Sequence, residues 1–308
     1  MAEVLHVSNL SEGAFAGRSE NSKPPFFAVF GKPIGHSLSP LMQNAALAKV
    51  AKTNAELDGA KYFAFEVEPE KLAETLDVFW RKNFAGINLT IPHKEIAMRV
   101  VDDFDASAEN AKACNTLLRT PRGWKGFNTD GFGVSAAVEH AFGRGFANAD
   151  AVLLGAGGAA RGAAAAIIAA GCKSLLAANR NPERLKKFAD DLSMENFEIK
   201  TASLAGIEAK IPPRAIVVNA TSVGLNADDS PVVDFSKIPP DCAFLDMPYR
   251  RNGETPSVLA ARANGIPAEN GLAMLAWQGA KSLSIWTGAP LMGAFMLETI
   301  KDNLYGHR

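Results

Sequence analysis

Four runs in the second half of the chain, DAVLLG (150–155), SLLAAN (174–179), AIVVNAT (215–221) and CAFLDM (242–247), are almost entirely apolar. A strand without polar alternation has no face to give to water, so it must be covered on both sides. Helical patterns lie between these runs, and repetition of this kind builds a mainly parallel sheet wrapped in helices. The first half has the same rhythm. FFAVFG (26–31), YFAFEV (62–67), AGINLT (85–90), CNTLLRT (114–120) and WKGFNT (124–129) read as strands, with amphipathic stretches at 41–51 and 70–82 between the first three. A helix at 131–142 joins the two series, and helical segments at 272–287 and 291–303 follow AENG. The pattern predicts an α/β fold in two domains.

Length agrees, since 308 residues make roughly two domains at about 150 residues each. A net charge of −1, from 32 Lys+Arg against 33 Asp+Glu, argues against a nucleic-acid binder, whose domain is strongly basic. The tryptophans are scattered rather than set out as a base-stacking surface, and Trp277 and Trp286 are expected to pack in the C-terminal helices. Cys114, Cys172 and Cys242 form no C-x-x-C pair and read as small buried hydrophobes in a reducing compartment. No grouping of His, Cys, Asp and Glu has metal-ligand spacing, so no metal is expected, and His36 and His140 read as structural or solvated. No apolar run approaches the roughly 20 residues of a membrane span, and no basic start precedes an apolar stretch. A cytoplasmic protein without membrane contact is expected. Residues 1–24, polar and rich in Gly, Ser and Pro, read as a flexible N-terminal extension.

AVLLGAGGAARGAAAAI sets a buried strand, a glycine turn and an alanine-rich helix in the order of a dinucleotide site. Gly155, Ala156, Gly157, Gly158 and Ala159 let backbone N–H groups approach a pyrophosphate, whose charge suits a helix N-terminus. An NAD site usually ends the next strand on Asp or Glu, to bind the ribose 2′-hydroxyl. Here that strand ends in Asn179-Arg180-Asn181-Pro182-Glu183-Arg184. Guanidinium groups complement a 2′-phosphate in charge and fork geometry, so NADP(H) is expected. The bland alternative is a solvated helix start with incidental arginines.

In the first half, polar residues gather near strand ends, where open α/β sheets put ligands. Ser37 and Ser39 follow the first strand, Asn88 and Thr90 alternate on one face of another, and Asn115 opens a third. Asp130 starts a helix, and Lys94 stands in the first turn after Pro92, where the helix dipole disfavours a cation. Capping would account for the serines and Asp130 taken singly. Together, uncharged hydroxyls and amides suit a polyol, and one Lys with one Asp can manage a proton.

The chain resembles the shikimate dehydrogenase family, which includes quinate/shikimate dehydrogenases, from about residue 26 onward. The segments that carry the resemblance are GKPIGHSLSP, GINLTIPHKE, ACNTL, GFNTDG, GAGGAAR, NRNPER, NATSVG, DMPYR and NGLAMLAWQGA. It implies a substrate domain over 25–132 plus about 272–308, with the C-terminal helices packing back on it. A Rossmann-type NADP domain would cover 133–271. Carried over position by position, Ser37, Ser39, Asn88, Thr90, Asn115, Tyr249 and Gln278 would bind substrate, and Lys94 with Asp130 would be the catalytic pair. The cofactor would use 155–159, Asn179, Arg180 and Arg184, with Met247 and Gly271 near the nicotinamide. The resemblance also departs from the usual pattern: Asn181 stands where N-R-T is common, and His93 where an aromatic is common. S-x-S rather than S-x-T favours shikimate over quinate. The expected activity is NADP-dependent, reversible reduction of 3-dehydroshikimate to shikimate, by a monomer or homodimer. The alternatives are a quinate/shikimate dehydrogenase using NAD or both cofactors, and a non-catalytic nucleotide sensor.

Overall fold

The computed structural model describes residues 4–19, 21–192, 197–226 and 228–306. The chain divides into two compact units, Met1–Thr129 with Gln278–Ile300, and Asp130–Trp277 with Lys301–Arg308.

The first unit is built on β1 (Val4–His6), β2 (Phe26–Gly31), β3 (Lys61–Glu66), β4 (Phe84–Leu89), β5 (Asp103–Phe104), β6 (Thr116–Thr120) and β7 (Gly123–Phe127). Their order in the sheet is β1-β3-β2-β4-β6-β7-β5. β1 to β4 run parallel, β6 is antiparallel to β4 and β7, and β5 runs parallel to β7. All of β2 is buried, as its apolar run requires. The helices α1 (Ser39–Ala51) and α2 (Leu72–Arg81) carry the chain from β2 to β3 and from β3 to β4. α2 buries Leu72, Thr75, Leu76 and Phe79, a stripe at helical spacing. The Phe79 ring lies 4.7 Å from Phe30, 4.8 Å from Phe65 and 4.3 Å from Phe84, the centre of an aromatic core. Because β3 and β4 flank β2 on opposite sides, the strand order reverses between β2 and β4. Ligand crevices form outside the carboxyl ends of strands at such a point. The short α3 (His93–Ile96) and α4 (Ala106–Ala111) follow β4 and β5.

The N-terminal segment corrects the expectation of a flexible extension. β1 pairs with β3, Val4 opposite Ala64, and Leu10 and Phe15 are buried. Phe15 meets Phe63 and Phe65 edge-on at 4.9 and 5.7 Å. Arg18 lies 3.8 Å over the Phe26 ring and donates to the carbonyls of Pro24 and Lys82. The segment is polar on average, yet two apolar side chains set into an existing core suffice to order it. Composition averages over exactly those two residues.

The second unit holds β8 (Asp150–Leu154), β9 (Ser174–Asn179), β10 (Ile199–Ser203), β11 (Ile216–Asn219), β12 (Ala243–Asp246) and β13 (Ala268–Glu269). They are all parallel in the order β10-β9-β8-β11-β12-β13. Numbered within this unit the order is 3-2-1-4-5-6, the dinucleotide-binding arrangement. Its helices are α5 (Asp130–Phe142), α6 (Gly158–Ala169), α7 (Pro182–Leu192) and α8 (Pro256–Ala263); α9 (Gly271–Thr287) and α10 (Gly293–Tyr305) follow, and their residues from Gln278 to Ile300 belong to the first unit. Val152, Leu154, Val217 and Phe244 lie in its core.

Candidate active site

In the first unit, the polar residues at the carboxyl ends of β2 and β4 are held by backbone before they touch one another. Ser39 opens α1, and its N–H donates to the Ser37 hydroxyl oxygen at 3.2 Å. That turn uses an acceptor site of Ser37 and leaves its hydroxyl proton to another oxygen. Thr90 is half-buried, its N–H donating to the Phe30 carbonyl at 2.9 Å. A β-carbon on Gly31 would lie 2.6 Å from the Thr90 methyl, so only glycine at the end of β2 lets Thr90 sit there.

Asn88 is buried at the centre of a hydrogen-bonded array. Its Nδ2 donates to the Asn115 carbonyl at 3.1 Å, to Thr116 Oγ1 at 3.1 Å and to Ser282 Oγ at 3.0 Å. Its Oδ1 accepts from the Tyr62 hydroxyl at 2.8 Å. Asn115 Oδ1 accepts from the Thr129 N–H at 2.8 Å and from the Thr116 hydroxyl at 2.9 Å. Asn115 Nδ2 donates to Thr129 Oγ1 at 3.0 Å and, at the long limit of 3.4 Å, to Gln278 Oε1. The Ser282 hydroxyl donates to the Gln278 carbonyl one helical turn back, at 3.1 Å. The structure thus brings Asn88, Asn115 and Gln278 into one network. Tyr62, Thr116, Thr129 and Ser282 are members that the sequence reading does not single out. The available signals were adjacency to Asn115 and Asp130 for the threonines, and the i+4 spacing from Gln278 for Ser282.

Lys94 is half-buried on α3. The turn is tied at both ends: the His93 N–H donates to the Thr90 carbonyl at 2.8 Å, and the Lys94 carbonyl accepts from the Cys114 N–H at 2.8 Å. His93 is fully buried, and that burial lowers its pKa, so its ring is neutral near neutral pH.

The second unit contains the glycine turn. Gly155 has φ +120°, open to glycine alone, and a β-carbon there would lie 3.0 Å from the Ala220 carbonyl oxygen at the end of β11. This is the switch point between β8 and β11. Gly157 is the N-cap of α6, and Gly158 is its first residue, so the N-terminus of α6 directly follows the turn. Ala156 is buried, and Ala159 is exposed on the first turn of the helix. At the tip of β9, Asn179 Oδ1 accepts from the Asn181 N–H at 3.0 Å, and Asn181 Oδ1 accepts from the Arg184 N–H at 2.9 Å. Asn181 therefore caps α7, a task that explains an amide at this position. Arg184 Nε donates to the Ala156 carbonyl at 3.1 Å, tying the basic tip to the glycine turn, while Arg180 is exposed beside it. The donors, the turn and the absence of a carboxylate at this tip fit a phosphorylated dinucleotide.

Met247 and Gly271 also come together. The Gly271 N–H donates to the Pro248 carbonyl at 3.1 Å, and a β-carbon on Gly271 would collide with the Met247 carbonyl. Just before Met247, Asp246 is buried between Asn219 Nδ2, at 2.6 Å, and the Thr255 hydroxyl. Burial pushes its pKa up to about 6, with Glu254 adding to the rise and these two hydrogen bonds opposing it. Tyr249 is half-buried, and desolvation raises its pKa, so it offers a neutral hydroxyl. Asp130 is the first residue of α5, where the helix dipole favours its charge. Among the described residues no three His, Cys, Asp or Glu are grouped to hold a metal ion, and no helix is long and apolar enough to cross a membrane.

Comparison with known proteins agrees with both halves. The family model for "Shikimate dehydrogenase substrate binding domain" matches residues 29–117, and that for "Shikimate / quinate 5-dehydrogenase" matches residues 136–233. A shikimate dehydrogenase (NADP(+)) of Moorella thermoacetica is 37% identical over 285 residues, covering 89% of this chain and 92% of its own. The crystal structure of shikimate 5-dehydrogenase from Thermus thermophilus in complex with NADP(H) and shikimate superposes with a TM-score of 0.78 at 34% identity, covering 91% of this chain and 100% of that one. The shikimate dehydrogenase of Aquifex aeolicus does so with a TM-score of 0.78 at 30% identity, covering 92% and 99%. With the fold, the glycine turn and both matched domains in agreement, this chain belongs to the shikimate dehydrogenase family.

Proposed function

We propose that this protein is an NADP-dependent shikimate dehydrogenase, reversibly reducing 3-dehydroshikimate to shikimate on the route to aromatic amino acids. The observation that carries the reading is a neutral array of amides and hydroxyls on the same chain as a glycine turn whose neighbouring strand ends on arginines. The first unit binds the substrate through Ser37, Ser39, Asn88, Thr90, Asn115 and Gln278, and the resemblance to the family adds Tyr249 to the substrate-binding residues. The second unit binds NADP through residues 155–159, Asn179, Arg180 and Arg184, with Met247 and Gly271 at the nicotinamide. When bound, NADPH supplies the hydride that goes to the carbonyl carbon. Lys94 gives the proton that the carbonyl oxygen takes up and recovers it in the reverse direction, while Asp130 holds the substrate hydroxyl and shares in the proton transfer. The protein acts as a monomer or homodimer in the cytoplasm, a reducing compartment that suits three buried cysteine thiols.

Turnover measured with each of NADP and NAD against each of shikimate and quinate tests this. The highest kcat/KM is expected for shikimate with NADP, and Arg180→Ala is expected to raise the KM for NADP by about 10- to 150-fold while leaving the weaker use of NAD unchanged. Preference for quinate with NAD would replace this reading with a catabolic one, and equal losses with both cofactors would remove Arg180 from the 2′-phosphate.

A further inference from the structure

The array around Asn88 contains two groups whose hydrogen-bonding direction is not a matter of choice. The Asn115 carbonyl can only accept, and the Thr129 N–H can only donate. The first faces Asn88 Nδ2 at 3.1 Å, so the amide side of Asn88 is fixed and its Oδ1 must find a donor elsewhere. The second faces Asn115 Oδ1 at 2.8 Å, which leaves Asn115 Nδ2 to point at Thr129 and Gln278. Thr116 lies between the two amides, accepting from Asn88 and donating to Asn115. All of these directions are mutually consistent only if the group at Asn88 Oδ1 is a donor.

That group is Tyr62. Its side chain is 2% exposed, on a strand otherwise given to core packing, with its ring 6.1 Å from Trp286. A buried phenol is costly unless its hydroxyl is bonded, and a phenylalanine would fill the same space without that cost. The hydroxyl donates to Asn88 at 2.8 Å and also meets the Ser39 hydroxyl. It therefore joins the first residue of α1 to the end of β4, the two elements on either side of the switch point.

We infer that Tyr62 is a positioning residue for the substrate, its hydroxyl supplying the donor that Asn88 Oδ1 needs in the orientation the Asn115 carbonyl selects, and so supporting, through Thr116 and Asn115, the placement of Gln278. Tyr62 does not itself touch the reacting atoms. The inference rests on the proposed activity, and turnover by the wild type reports on that activity separately, because the inference is read from ratios between variants. Tyr62→Phe removes one oxygen and leaves Asn88 Oδ1 buried without a donor. The expected result is a rise in the KM for shikimate of about ten-fold, with kcat within about three-fold of wild type and the KM for NADP unchanged. Gln278→Ala supplies the second arm. Gln278 and Tyr62 share no hydrogen bond, so coupling between them must pass through the amides. In the Gln278→Ala background, Tyr62→Phe is expected to add less than two-fold to the KM. Full multiplication of the two effects overturns the inference, as does an unchanged KM for shikimate in Tyr62→Phe. Equal rises in KM for shikimate and NADP, or failure of Tyr62→Phe to fold, would show the hydroxyl to be a requirement of the fold rather than of binding and would also overturn it.

Discussion

Lys94 occupies the second position of a four-residue helix, an end that repels cations, and both flanking main-chain groups are tied down. A side chain kept there against the local field has a task, and the proposed one is proton transfer. Lys94→Ala is expected to lower kcat by about 10²- to 10⁴-fold while binding of shikimate and NADP, measured directly, changes little. Asp130→Asn should act likewise, and the double variant should be little worse than Lys94→Ala alone. Fully multiplicative losses would separate the pair, and a normal kcat with a raised KM would make Lys94 a binding contact. At this scale part of the candidate site was legible in the residues themselves, because Asn88 and Asn115 are polar where a core is expected, whereas Gln278 came only from the resemblance to the family. Tyr62 was not, since a tyrosine in an apolar strand reads as an ordinary aromatic until its hydroxyl is seen to face an amide. Ser37 and Ser39 looked alike in the sequence. In the structure one accepts from the other's N–H, so they are not equivalent.

At the scale of elements, strands buried on both faces announced themselves by continuous apolar runs, and β2, β8, β9, β11 and β12 lie where those runs do. What escaped was at the edges. β10 buries only Ile199 and Ala202, while β1, β5 and β13 are two or three residues long, too short to show any period. The N-terminal segment shows the same physics, because its order comes from a destination already formed by other residues. Phe15→Ala is expected to lower the stability of the first unit by about 3–5 kcal/mol, read as a fall in its thermal midpoint. An unchanged midpoint would mean that the segment merely lies on the sheet. Turnover at temperatures well below the midpoint should be preserved.

For the molecule as a whole, Asp246 ties stability to pH. Its carboxyl, ordinarily at 3.8, titrates at about 6 in the folded state because burial disfavours its charge. Between these values the native chain binds the proton that the unfolded chain has released, so stability falls as pH rises from about 4 to 6. The loss is on the order of 3 kcal/mol and is complete above pH 6. Asp246→Asn should remove this dependence, so that denaturation at pH 4 and pH 7 shows the variant gaining on the wild type toward the higher pH. Parallel profiles would refute it. Asp105, Asp150, Asp229 and Asp234, whose pKa values are lowered by hydrogen bonds, pull the other way in both proteins and cancel in the comparison.

The first unit is assembled from two stretches of chain, Met1–Thr129 and Gln278–Ile300. The later stretch brings Ser282 to Asn88, and Trp286, whose indole N–H donates to the Leu117 carbonyl at 2.9 Å and whose ring lies where only glycine at position 86 leaves room. On a ribosome, then, the strands of this unit are made well before residues 278–300, and only these bring Ser282 to Asn88 and Trp286 to the Leu117 carbonyl. Residues 130–277, almost all of the second unit, come out in the interval. Phe27 and Tyr62, whose rings lie 5.2 and 6.1 Å from Trp286, gain that cover only when residues 278–300 follow.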